Sequence, residues 1–346
     1  MGDTIRHSRD SISSASIEDV AAAAGVSTAT VSRAVRGLPR VAPATREKVL
    51  EAARRLSYSA YSPASGLARG RSMTVGIMAP AQYSWFSSKV LHGAAEVLRE
   101  RNYTLSILGP APMGSAGQQS MPGVHIKHLG GLLLVGTAPS PDETKYVHER
   151  GIPAIAVGSR PANIPSVALD RPTAAMTAAR HLLALGHRDI ALLSGSRSMD
   201  DDDAGPLSRS LREVLSSAHP DLRLNVALVA ADTVQFGREG FTRLWTAQER
   251  KPTAILCTSD ELAIGVIFEA RSRSVGVPSQ LSVVGIDGHD YAAAFGLTTV
   301  EQQPHDQGRL AATMILNELE GQAGAIRSAD AEHRLIPRES SGRVRG

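Results

Sequence analysis

The chain has 346 residues, 42% hydrophobic and 21% charged, with a formal net charge of +3 and one cysteine, Cys257. That length predicts about two to three domains, and the composition fits a globular protein. A single cysteine excludes an intrachain disulfide, no apolar run approaches a membrane span, and Met1–Ala15 is polar and serine-rich without the apolar centre of a signal peptide. A soluble, cytoplasmic protein is therefore expected.

Residues 1–15 read as a disordered tail. The stretch Ser16–Gly37, SIEDVAAAAGVSTATVSRAVRG, reads as two short helices joined by a tight turn. Ser16 is placed to cap the first helix, with Asp19 three residues on, and Ile17, Val20, Ala21 and Ala24 give it one apolar face. Gly25 falls at the turn, where a residue without Cβ reaches positive φ. Ser27 is the N-cap of the second helix, and Val31 with Ala34 or Val35 packs it back. Its other face carries Thr28, Ala29, Ser32, Arg33 and Arg36, small or basic side chains suited to a DNA groove. Periodicity alone fits a helix-turn-helix and an ordinary surface hairpin equally well. From Arg33 to Arg71 basic residues outnumber Glu47 and Glu51, which suggests a polyanion-binding end on a nearly neutral body.

Pro43 opens a third helix with an apolar stripe of Val49, Ala52, Ala53 and Leu56, and Ser62–Pro63 begins a short helix to about Arg69. From Met73 short apolar runs alternate with helical stretches. Strands are predicted at Thr74–Ala79, Thr104–Leu108, Leu132–Val135, Ala154–Val157, Ile190–Leu193, Val226–Val229, Ala254–Cys257 and Ser282–Ile286. Helices are predicted at Lys89–Arg101, Thr173–Leu185, Arg209–Ser217, Gly237–Ala247 and Glu261–Ser272. Such interleaving gives parallel sheets covered on both faces, an α/β core behind an all-α headpiece.

The string Ser16–Gly37, continued by TREKV at Thr45–Val49 and on to Tyr58, resembles the DNA-binding headpiece of the LacI/GalR family of repressors. RLIPRESSG at Arg334–Gly342 matches the family's last strand, so the resemblance covers nearly everything after residue 15. It implies a helix-turn-helix domain (16–59), a hinge helix (60–72) and a two-lobed, periplasmic-binding-protein-like core (73–342). The lobes are expected at about 73–169 with 298–328, and 170–297 with 329–342, the chain crossing near Asp170, Leu297 and Ala329. It further implies a homodimer, or a higher oligomer, on a palindromic operator, most simply as a repressor. Ile17, Ser27, Thr28, Ala29, Ser32, Arg33, Arg36 and Thr45 make up the DNA-binding set, and Leu67 is the hinge wedge in the minor groove.

By the same analogy, a sugar-like or nucleobase-like effector occupies the crevice at the strand ends. Its residues are Trp85, Phe86, Asp170, Thr233, Ser259 beside Asp260, and Asp287, with Arg209 or Arg197 standing in for a family arginine. Aromatics are also commonly core and loop-end aspartates commonly caps, so each has a structural alternative. The chain departs from the family at Ala42 in place of Ser, Ala60 in place of Pro and Tyr61 in place of Asn. Further departures are Ser259-Asp260, Asp287-Gly288, LSRSL at Leu207–Leu211 and the Pro/Gly-rich Ala111–Lys127. They leave open a second version of the regulator, controlled by a protein partner or by no effector. A transporter's solute-binding protein shares the core but not the headpiece. No catalytic motif, cofactor motif or metal set is legible: Asp200–Asp203 reads as a solvated loop, and His125 with His128 lacks a third ligand.

Overall fold

The chain divides after Met73 into two units. A computed structural model describes residues 15–35, 37–56, 58, 72–79, 84–108, 126, 128–136, 139–195, 209, 211–212, 214, 219–246, 250–322 and 328–344. The expected tail apart from Ala15, most of the hinge, Asp200–Asp203, His125, nearly all of 111–127 and most of the expected helix Arg209–Ser217 lie outside those residues. Among the described residues no helix is long and apolar enough to cross a membrane.

The first unit holds α1 (Ile17–Ala24), α2 (Thr28–Val35) and α3 (Pro43–Arg55). Each helix contributes one fully buried valine, Val20, Val31 and Val49, and the gaps are filled by Ala21, Ala24, Ala34, Ala52 and Ala53. Small side chains let three short helices approach closely, which offsets the weak stability of eight-residue helices standing alone.

In the second unit the order is β1 (Thr74–Met78), α4 (Trp85–Glu100), β2 (Thr104–Leu108), β3 (Gly131–Val135), α5 (Pro141–Glu149), β4 (Ala154–Val157) and β5 (Ser166–Leu169). It continues with α6 (Arg171–Ala184), β6 (Asp189–Gly195), β7 (Arg223–Val229), α7 (Val234–Thr246), β8 (Ala254–Cys257), α8 (Asp260–Ser272) and β9 (Ser282–Asp287). It ends with β10 (Thr298–Glu301), α9 (Pro304–Leu319), β11 (Ala329–Ala331) and β12 (Arg334–Ile336). One sheet runs β11-β5-β4-β3-β1-β2 and the other β12-β10-β9-β8-β6-β7. All pairings are parallel except β10 with β12.

Both sheets bury two faces, as parallel strands under crossover helices must. In β3, Leu133 and Val135 face α4 and α9, while Leu132 and Leu134 face Val147 of α5. In the second sheet Leu193, Ile255, Cys257 and Val283 pack on α7 and α8, and Leu192, Leu256 and Val284 pack on the alanines of α6. Cys257 is a buried core thiol, pushed well above its ordinary pKa by burial, as its apolar surroundings predict.

Every strand expected between β1 and β9 is present, while α5, β5, β10, α9 and β11 are absent from the expectations. Two expected crossings shift. Thr298–Glu301 pairs with β9, so the second lobe runs past Leu297 and the chain recrosses at 302–303. Ala329–Ala331 pairs with β5, so it belongs to the first lobe and the last crossing falls at 332–333. Backbone pairing places the boundary where the ladder stops, which apolar patterning alone does not locate.

Candidate DNA-binding and effector sites

In the headpiece, the Ser16 hydroxyl accepts the Asp19 N–H at 3.2 Å and the Asp19 carboxylate accepts the Ser16 N–H at 2.8 Å, a complete capping box. Gly25 takes φ 63°, ψ 39°, and the Val26 N–H returns to the Ala21 carbonyl, closing α1 and turning the chain. The Ser27 hydroxyl accepts the Thr30 N–H at 3.2 Å and so starts α2. Burial of Val31 and Ala34 fixes the rotation of α2 and leaves Thr28, Ala29 and Arg33 exposed with Ser27. Ser32, Thr45 and Ile17 are half-buried, Ile17 packed on the headpiece core. Arg36 and Leu67 lie outside the described residues. One contributor was not foreseen: Arg46 of α3 donates to the carbonyls of Ala34 and Leu38 and ties down the end of α2. Read from sequence, it was only one more charge in a basic segment.

In the core, a cavity of about 60 Å³ lies between the lobes at the carboxyl ends of their strands. Trp85, Phe86, Ser259 and Asp287 line it as expected, joined by Arg171, Asp232, Glu261 and Gln302. Gly158, at φ 77°, lets the Phe86 ring lie against the end of β4, where any Cβ would collide with it. Asp170, Thr233 and Arg209 are not among the lining residues. Asp170 is exposed and caps α6, accepting from the Thr173 N–H and hydroxyl, and Thr233 caps α7 through the Phe236 N–H. Arg209 is exposed, and Arg197 lies outside the described residues.

Carboxylates dominate the cleft floor. Asp260, fully buried, accepts the His289 N–H at 2.7 Å and the Thr299 hydroxyl at 2.6 Å, and burial lifts its pKa to about 6. Asp287 is raised well above its ordinary value by burial and by the charges of Asp260 and Asp232, with Arg171 opposing. Burial also raises Glu261, whose carboxylate accepts the Trp85 N–H from the other lobe at 3.4 Å. A second cross-lobe contact joins Lys89 to Asp290 at 2.9 Å, with Trp85 packed on His289 at 4.8 Å between ring centroids. The floor thus gathers carboxyl groups that burial holds above their ordinary pKa, under two aromatic rings.

Residues 16–60 match the family model for bacterial regulatory proteins of the lacI family, and 179–341 match a periplasmic binding protein-like domain. A catabolite control protein A from Staphylococcus epidermidis is 30% identical over 273 residues, covering 78% of this chain and 82% of that protein. The chain belongs to the LacI family. Across 94% of its length it is 29% identical to catabolite control protein A of Priestia megaterium and 28% identical to the transcriptional repressor CytR of Escherichia coli K12, covering 98% and 96% of those proteins. Its fold matches a lac repressor dimer bound to operator and an anti-inducer, with TM-score 0.75, 22% identity, and coverage of 95% of this chain and 100% of that one. Membership makes this LacI-family chain a sequence-specific DNA-binding regulator of transcription, with the helix-turn-helix as its DNA-binding element.

The family frame also explains two histidines near the Gly186 turn. His181 pairs with the Ser341 hydroxyl at 2.8 Å, and His187 bonds Thr253, Ser282 and the Gly342 carbonyl. Burial holds both below the ordinary histidine pKa, and their partners are structural, so they fasten the C-terminal segment. The missed cleft residues follow strand ends closely: Glu261 comes four residues after β8, and Asp232 three after β7. Strand-end position was a usable signal for those two. Gln302 gave none, because β10 had not been recognised.

Proposed function

We propose that the chain acts as a homodimeric repressor on a palindromic operator, α2 entering the major groove of each half-site. Thr28 and Ala29 face base edges, Arg33 reaches a base or a phosphate, and Ser27, Ser32 and Thr45 contact the backbone. The observation that carries this reading is the exposed Thr28–Ala29–Arg33 surface, aimed by the buried Val31 and Ala34 on the opposite side of the same helix. Two-fold protein symmetry is mirrored in the two half-sites. The relative solved with its operator is a dimer, which supports the same arrangement here.

The cleft is a ligand-binding site rather than an active site. A hydroxyl-rich or nucleobase-like molecule stacks on Trp85 and Phe86 and exchanges hydrogen bonds with Asp287, Glu261 and Arg171. The regulator CelR in complex with cellobiose and a LacI family regulator from Enterococcus faecium with bound ribose, both of this fold, support a sugar. A ligand alters DNA affinity only by its differential affinity for the two lobe arrangements. The test is thermal unfolding against sugars, sugar phosphates and nucleosides. A selective ligand at a hundredfold excess over its Kd stabilises by about 2.7 kcal/mol.

A second reading rests on the Trp85–Glu261 and Lys89–Asp290 contacts, which hold the lobes together around a cavity of only about 60 Å³. On that reading the cleft is a structural seam, and control comes from a protein partner or is absent. A panel that shifts nothing, with DNA binding intact, selects it.

A further inference from the structure

We propose that His92, Glu96 and His305 bind a divalent transition-metal ion of the Zn²⁺ class on the first lobe. His92 and Glu96 are one helical turn apart on α4, and His305 lies in the first turn of α9. The helices meet closely because Gly93 faces the His305 carbonyl and Gly308 faces the Val90 carbonyl, positions where a Cβ would collide with backbone. Two residues without side chains therefore bring three donor side chains together.

Among the described residues this is the group of histidine and carboxylate donors able to share an ion, its ligand atoms all within 4.8 Å of one another. His92 Nε2 lies 3.5 Å from Glu96 Oε1, and His305 Nε2 lies 3.3 Å from Glu96 Oε2. A tetrahedral Zn²⁺ with bonds of about 2.0–2.2 Å needs ligand atoms about 3.3–3.5 Å apart. Each histidine stands at that separation from a different Glu96 oxygen, so an ion would be held by both oxygens or by one after a small turn of the carboxylate. The rings of His92 and His305 meet edge to face at 5.3 Å between centroids, so closing the distance between them takes a side-chain adjustment of the exposed His92.

The outer contacts suit a metal site as well. Asp306 Oδ1 lies 3.4 Å from His305 Nδ1, on the ring nitrogen facing away from Glu96. Metal-binding histidines characteristically give their second nitrogen to such a carboxylate, which fixes the tautomer and turns the first nitrogen to the ion. Arg309 Nη1 holds Glu96 Oε2 at 2.7 Å, so the carboxylate is already oriented. Two imidazoles and a carboxylate select Zn²⁺ or a neighbouring first-row ion over Mg²⁺ or Ca²⁺, and the His92 side chain is open to solvent. Because His305 follows the crossing at 302–303 by two residues, an ion here ties the start of α9 to α4 beside that interlobe crossing.

The test is calorimetric titration of the full chain, stripped with chelator and dialysed, with ZnCl₂ and with MgCl₂. The chain has 11 histidines, so the diagnostic quantity is the Zn²⁺ equivalent that disappears in His92→Gln, Glu96→Gln and His305→Gln but survives in the exposed His148→Gln. Asp306→Asn is expected to weaken that equivalent about 10–100-fold. Far-UV circular dichroism checks that each variant folds, and Co²⁺ absorption provides an independent readout of tetrahedral ligation. A Zn²⁺ isotherm unchanged in the three ligand variants, or no saturable Zn²⁺ binding by the parent chain, overturns the proposal.

Discussion

The Asp260 backbone N–H donates to the Asp287 carboxylate at 3.2 Å, while the two carboxyl groups repel one another across the floor of the cleft. Both pKa values are raised, chiefly by burial, Asp260 to about 6. A raised carboxyl binds more protons folded than unfolded, so it removes stability as pH climbs from the unfolded value through the folded one. Asp287→Asn lacks that loss. Its Tm relative to the parent chain should therefore rise as pH climbs above the ordinary carboxylate range. A difference that falls instead would contradict the arrangement.

Ala42 precedes α3 with extended backbone and no side-chain cap bond. Ala42→Ser supplies an acceptor for an orphan amide and should stabilise the headpiece by about 1 kcal/mol. Hydrogen exchange of the α3 amides measures it, with slower exchange expected and unchanged exchange contradicting the capping account.

Two arginines of the headpiece should separate cleanly. Arg46 clamps the Ala34 and Leu38 carbonyls, so Arg46→Ala should lower headpiece stability by about 1–3 kcal/mol, with DNA affinity falling as a consequence. Arg33 is exposed, so Arg33→Ala should leave stability unchanged and cost about 1–3 kcal/mol of operator affinity if it reads a base, or about one unit of salt slope if it meets a phosphate. Chemical unfolding and salt-dependent anisotropy distinguish the two. Equal stability losses in both variants would remove the clamp from Arg46.

Gly158 combines positive φ with the Phe86 ring where a Cβ would stand. Gly158→Ala should displace Phe86, lower Tm, and weaken any effector found by the thermal panel. An unchanged Tm would show that the ring has room to move.

The headpiece was legible because its code is local: Ser16, Asp19, Gly25 and Ser27 each act within a few residues, and the structure finds every one in its expected place. The sheets were legible because β1, β3 and β8 are buried on both faces and read as continuous apolar runs. The cleft was half legible. Strand-end position pointed to Trp85, Phe86, Ser259 and Asp287, yet it pointed equally to Asp170 and Thr233, which cap helices as Ser259 does but do not line the cavity. Arg46 and the His92–Glu96–His305 cluster were illegible for a different reason. Arg46 reaches Ala34 on α2 and Leu38 beyond it, and His305 lies more than 200 residues from Glu96, so only packing brings these groups together.

The most direct test of the account is selection of randomised duplex DNA by the full-length chain, run beside Arg33→Ala. The account predicts enrichment of a two-fold symmetric site, bound by a protein dimer, whose half-site preference relaxes or whose affinity falls in the variant. Enrichment of no sequence, or of a site bound identically by the variant, would contradict the assignment of α2 as the reading helix.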